Sequence, residues 1–169
     1  MTALLAALLL ALPPLPCPPG AVPMGRSPPL GFEEWCERPD RAGVPRRNGP
    51  ARTYYDLDLV HVESTWRDGA LDGPWVEWHR DGRKARAGRY RAGERHGAWT
   101  WWYEGGAVEE EVTFDMGRRH GSFVQWWRNG KKRTEGRFCY GLQCGRWVTW
   151  NEDGLELGAI QYEEIRGSP

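Results

Sequence analysis

The chain has 169 residues with 23 basic and 23 acidic side chains, so its formal net charge is zero. Phosphate binding rests on clustered excess positive charge, and that balance excludes a dominant electrostatic grip on nucleic acid. Eleven tryptophans and 22 glycines far exceed ordinary usage, and beyond the extreme N-terminus no stretch approaches the roughly 18 apolar residues of a membrane-spanning helix.

Residues 1–16 read as a signal-peptide-like segment. The run ALLAALLLAL at 3–12 is too short to span a bilayer and suits the apolar region of a short signal helix, which predicts export to the periplasm, outer membrane or extracellular space. Leu15 and Pro16 fit poorly before a lipid-modified cysteine, so a disulfide at Cys17 is favoured over lipoprotein anchoring. Membrane contact is expected only through the N-terminus.

Residues 17–48 form a Pro/Gly-rich leader carrying Cys17 and Cys36. Its composition up to residue 31 predicts extended chain with little regular structure. Phe32, Trp35 and Cys36 form an apolar cluster expected to cap the first hairpin, and 37–48 (ERPDRAGVPRRN) reads as a polar loop. Four cysteines allow three pairings; an even count in an exported chain favours bridges, and Cys17 with Cys36 and Cys139 with Cys144 are the natural pairs. Reduced thiols in a cytosolic chain are the alternative.

The array occupies 49–169, in units starting near 49, 73, 97, 121 and 145. Glycine opens each unit at Gly49, Gly73, Gly97, Gly121 and Gly145, a spacing of 24 residues. Aromatics follow two and five places on in four units (Trp75/Trp78, Trp99/Trp102, Phe123/Trp126, Trp147/Trp150), and seventeen places on in all five (Trp66, Tyr90, Phe114, Phe138, Tyr162). A fixed period of this size marks an array in which each unit buries its apolar face only against its neighbours. Within a unit the pattern reads strand, turn, strand, turn, with no room for a helix. The first turns (RDGR, EGGA, RNGK, EDGL) carry Asp-Gly, Gly-Gly and Asn-Gly, which predicts type I′ hairpins there. The unit from Gly49 has Asp58 in place of the turn glycine, and the last unit has Ile165 where glycine stood before. Irregular ends are expected of units that face solvent on one side.

The second arm of each hairpin alternates in charge: Arg83, Lys84, Arg86 and Arg89, then Glu109, Glu110 and Glu111, then Lys131, Lys132 and Arg133, then a largely acidic arm. This predicts a ladder of opposite charges between adjacent hairpins. Adjacent strand residues point to opposite faces, so Trp101/Trp102 and Trp126/Trp127 put aromatics on both sides of the sheet. One set serves as the spine. The other is the candidate binding strip, with Trp101, Trp127, Trp78, Trp102 and Trp126 as its residues.

The unit G-x-W-x-x-W-x-x-x-G, with a later aromatic and G-x-x-x-G, resembles the bacterial variant of the MORN repeat, most closely from Gly97 through Gly106 and from Gly121 through Gly130. The His-Gly pairs at His96-Gly97 and His120-Gly121 belong to the same pattern. The resemblance implies an all-β fold, an elongated antiparallel sheet of stacked β-hairpins. Such proteins are often labelled antitoxins of toxin–antitoxin systems, and such arrays are associated with scaffolding and with protein or membrane contact. No catalytic residues carry over from it.

The column Asp72, His96, His120 and Cys144 looks like metal ligands, but equivalent positions sit two strands apart, about 9–10 Å, which is too far for one zinc. No catalytic, metal or cofactor site is therefore expected. The function read from the residues is a non-enzymatic protein-interaction or scaffold surface of the bacterial cell envelope, with an unidentified protein partner and no nucleic acid. The alternatives are a cytosolic antitoxin acting by protein contact and carbohydrate binding through exposed aromatics.

Overall fold

The computed structural model describes residues 13–26 and 31–164. Most of the expected signal segment (1–12), and Ile165, lie outside the described residues. Twelve antiparallel strands pair in strict chain order to make one open sheet. Strands β1 (Val22–Arg26), β2 (Glu33–Pro39) and β3 (Pro45–Asp56) come first. They are followed by β4 (Leu59–Arg67), β5 (Ala70–Trp78), β6 (Lys84–Arg91) and β7 (Glu94–Trp102). Last are β8 (Val108–Asp115), β9 (Arg118–Trp126), β10 (Lys132–Cys139), β11 (Leu142–Trp150) and β12 (Glu156–Tyr162). Strand spacing of 4.7–4.9 Å makes a twelve-stranded sheet about 50 Å across.

The sheet begins earlier than the expected loop and cap allow. Residues 37–48 do not form a loop, because β2 runs to Pro39 and β3 starts at Pro45 around a turn at Asp40–Gly43. Nor do Trp35 and Cys36 sit over the first hairpin; they are part of β2, where Trp35 pairs with Ala51 of β3. The hairpin without a turn glycine does form, with Asp56 paired to Leu59.

The two kinds of turn are also exchanged relative to expectation. Type I′ geometry needs positive φ at both central residues, and it occurs at the second turns, where Asp68, Ala92, Met116 and Tyr140 (φ 43–52°) each precede a positive-φ glycine. At the first turns Asp81, Asn129 and Asp153 are not left-handed. There the glycine N–H closes back on the turn's first residue, as in Gly82 N–H to His79 O and Gly130 N–H to Trp127 O. Asp81 and Asn129 also accept the N–H two residues on, which holds them in an Asx turn instead of the left-handed state.

The unit-opening glycines are bulges inside strands. In β7 five residues, His96 to Thr100, span what three, Arg89 to Ala87, span in β6, and Gly97 takes φ 75°.

Packing is one-sided. Trp99 pairs with Val112, Val112 with Phe123, and Phe123 with Gly136, so these residues form one row across β7–β10. With Phe114, Phe138 and Trp147 they form the buried core, and Trp75, Tyr90, Trp101 and Tyr162 pack at its margin. Gly88 and Gly136 lie directly beneath the indoles of Trp99 and Trp147, leaving no room for a Cβ. Each of those indoles donates Nε1–H to a backbone carbonyl, Arg89 O and Arg137 O respectively, both at 3.1 Å. Rings of successive units touch across a glycine, at 5.4 Å for Trp75–Trp99 and 5.2 Å for Phe123–Trp147. Between Trp99 and Phe123 the place is taken by Val112, which is 2% exposed. From Trp99 to Trp147 the packing therefore alternates, Trp over Gly, Phe beside Val, then Trp over Gly, while Trp75 beside Ser64 stands outside the alternation.

Two disulfides pin the ends of the array. Cys17–Cys36 draws the leader onto β2, and Cys139–Cys144 joins β10 to β11 across the Tyr140-Gly141 turn. The leader lies over the first hairpins: Leu15 is buried, Pro13 O accepts from Arg52, and Leu15 and Pro16 share a recess with Thr65, Pro74 and Val76. Strand β12 is the open C-terminal edge, with Leu157 and Ile160 exposed. Among the described residues no helix is long and apolar enough to cross a membrane.

Candidate functional site

Strand alternation divides the candidate tryptophans. Trp101 lies on the core face, 5.8 Å from Trp99 and 6.3 Å from Phe114 between ring centroids. Trp78, Trp102 and Trp126 stand three places after the spine residues Trp75, Trp99 and Phe123, and so face the other way. There they pair in register with Lys84, Val108 and Lys132. Trp127 sits at the turn that follows β9. All five are half-buried.

Trp127 belongs to a column that repeats through the array. Tyr55, His79, Tyr103 and Trp127, spaced 24 residues apart, each direct a polar tip at a backbone carbonyl of the next unit. Tyr55 Oη donates to Trp78 O (3.0 Å), His79 Nε2 to Trp102 O (2.9 Å), Tyr103 Oη to Trp126 O (2.8 Å) and Trp127 Nε1 to Trp150 O (3.1 Å). At the opposite strand ends, the second-turn glycines perform the same task through the backbone. The Gly69, Gly93, Gly117 and Gly141 N–H groups donate to Arg47, Leu71, Arg95 and Arg119 O at 2.8–2.9 Å. Each unit is thus tied to its neighbour by both turn rows as well as by the sheet ladder. The spacing of the column was legible in the sequence; its role was not, because the acceptors are backbone atoms.

Arginines cover the core face. Arg95 lies over Trp99 at 5.0 Å and Phe114 at 5.4 Å, Arg119 over Phe138 at 5.3 Å, and Arg47 over Trp35 at 4.7 Å. Cation–π contacts of this kind are worth about 0.5–1 kcal/mol when exposed. The ion pairs differ from the expected ladder between hairpin second arms. Strands β6 and β8 are separated by β7, and each finds its partner on an adjacent first arm: Arg86 donates to Glu77 (2.9 Å), and Glu110 receives Arg119 (3.5 Å) and Gln125 (2.7 Å). A separation of two strands, about 9–10 Å, is too long for direct pairing.

The column Asp72, His96, His120 and Cys144 is engaged elsewhere. Asp72 faces Arg67, His96 Nδ1 lies 3.4 Å from Asp115, and His120 Nδ1 accepts the Tyr140 N–H. Cys139 and Cys144 lie near the Glu164 carboxylate, but their sulfurs are bonded to one another.

Burial, and secondly the charge of Glu109, raises the Tyr103 phenol above its ordinary range. Burial also pushes the Tyr54 phenol up to about 12, helped by its 2.6 Å hydrogen bond to Glu34 and by that carboxylate's charge. Both phenols stay neutral donors at physiological pH, consistent with structural roles. Beside Tyr103 and Trp127 a recess of about 370 Å³ is completed by Arg128, Asn129, Arg133 and Glu152.

The MORN repeat variant family model matches residues 95–116, which run from β7 to the turn after β8 and contain Trp99, Trp101 and Phe114. The match supports the MORN-repeat family. A search of curated proteins found no match. Among solved structures, one described as a GtfA/B complex bound to UDP and GlcNAc aligns with 88% of this chain and 25% of that chain, at 12% identity and a TM-score of 0.28. This chain therefore spans about a quarter of the length of that one.

Proposed function

We propose that this chain is a non-enzymatic repeat scaffold whose half-covered aromatic face binds a protein partner in the bacterial cell envelope. The observation that carries the reading is the one-sidedness of the sheet. Trp75, Tyr90, Trp101 and Tyr162 remain half-exposed beside a dry spine, and no second layer of strands or helices among the described residues covers them. Aromatic rings flanked by arginine are the composition that dominates binding energy in protein interfaces. The family match points the same way, toward repeats that serve interaction rather than catalysis.

Two disulfides favour an oxidising, exported location over the cytosol, which weighs against the antitoxin reading. The test is to express the chain in a bacterial host, recover the mature protein, sequence its N-terminus, and capture partners with the native form and Trp101→Ala. Export with a partner lost on Trp101→Ala supports the proposal. A cytosolic, reduced protein, or a folded Trp101→Ala variant that keeps every partner, overturns it.

A further inference from the structure

The first-turn recess holds two cations without a protein partner. Arg128 Cζ lies 4.7 Å above the Tyr103 ring and Arg133 Cζ 4.6 Å above the Trp127 ring. Both arginines are exposed, and among the described residues neither makes a hydrogen bond or ion pair, whereas nearby Lys131 donates to Asp153 O. The rings beneath them are held in place, since Tyr103 Oη and Trp127 Nε1 both bond to carbonyls of the next unit. Asn129 is likewise engaged, donating to Glu152 O at 2.7 Å. A guanidinium attracted to a ring without a hydrogen-bonded partner keeps N–H donors available to a planar oxyanion. Two such groups lining one recess supply the donors of a carboxylate, which prefers forked donation. Glu152 on the rim leaves the lining with one net positive charge, two arginines less one carboxylate, which matches a monoanion better than a phosphate dianion. The arginine-over-tyrosine half of the arrangement recurs: Arg80 lies 4.6 Å over Tyr55, two units earlier and about 19 Å away along the same edge.

We infer that the recess between Tyr103 and Trp127 is a carboxylate-binding site that takes an acidic side chain from an extended segment of a protein partner. The inference rests on the protein-binding reading above and specifies the chemistry of that partner.

The test uses the full chain and a fluorescein-labelled hexaglutamate peptide, followed by anisotropy at low salt. Arg128→Gln and Arg133→Gln each weaken binding about tenfold, the scale of a charge-assisted hydrogen bond. Arg133→Lys, which keeps the charge and loses the fork, restores only part of the affinity. Arg118→Gln, at the opposite strand ends, removes the same charge and leaves affinity within about twofold, because surface charges beyond a Debye length are screened. Thermal melts of all four variants stay within about 4 °C of the native curve, since every substituted side chain is exposed and a ring contact of this kind is worth no more than about 1 kcal/mol. Equal weakening by Arg118→Gln reduces the effect to bulk charge and overturns the site. Displacement of the peptide by inorganic phosphate at equal concentration overturns the carboxylate assignment. Absence of hexaglutamate binding while the native protein still captures a partner through Trp101 overturns the recess alone; absence of both overturns the interaction surface as well.

Discussion

Gly136 offers the sharpest test of how the spine is built. It lies under the Trp147 indole and beside Phe123, and a Cβ there collides with the ring. Gly136→Val forces Trp147 outward, at an overpacking cost of about 1–3 kcal/mol. The displaced indole also loses its Nε1–H bond to Arg137 O, roughly another 1 kcal/mol. Valine's better fit to a strand offsets up to about 1 kcal/mol, so the net destabilisation is about 1–4 kcal/mol. Adding Trp147→Phe recreates the Val112–Phe123 pair that stands one unit earlier. The double variant is therefore expected within about 1 kcal/mol of the native protein, well short of the sum of the two single losses, and that shortfall is the coupling. Urea titration followed by far-UV circular dichroism measures the cycle. Hydrogen exchange of β9–β11 amides guards against stepwise unfolding, to which repeat arrays are prone. Additive losses in the double variant, with no recovery over Gly136→Val, refute the pairing of ring size with the residue beneath it.

Trp127→Phe and Tyr103→Phe each remove one link between units and are expected to cost about 0.5–1.5 kcal/mol in urea titration while leaving the ring packing in place. Ala92→Asn places Asn-Gly in a type I′ turn now entered by a left-handed alanine (φ 49°), and should raise stability by about 0.5–1 kcal/mol in the same assay. The Tyr54 phenol, ordinarily near 10 and held at about 12 in the fold, binds its proton more tightly when folded. Its contribution is complete below pH 10 and is lost as the pH rises through about 12, so Tyr54→Phe should flatten the alkaline limb of a stability–pH curve. Cys17→Ser/Cys36→Ser opens a loop of sequence separation 19, worth about 3 kcal/mol by loop-closure entropy, and should expose β1–β3 amides to exchange while β7–β11 stay protected.

The 24-residue spacing, with aromatics seventeen places after every unit-opening glycine and two places after four of the five, was enough to establish an all-β sheet of stacked hairpins, because pairing between chain neighbours needs only local pattern and turns. The cysteine pairing was legible for the same reason: both bridges join residues close in sequence. Tertiary structure decided the rest. Loop length decided the turn types: two residues lie between the paired Arg91 and Glu94, which suits type I′ at Ala92-Gly93, whereas five lie between the paired Trp78 and Lys84, where Asp81 settles into an Asx turn. Charge partners were misassigned because second arms are never adjacent; one strand always lies between them. Trp127 looked like a free aromatic, yet its indole N–H meets a carbonyl 23 residues away, and backbone acceptors leave no mark in side-chain pattern. Composition sets which side chains are available, but only the register of the folded sheet determines which are committed to holding units together and which remain free to meet a partner.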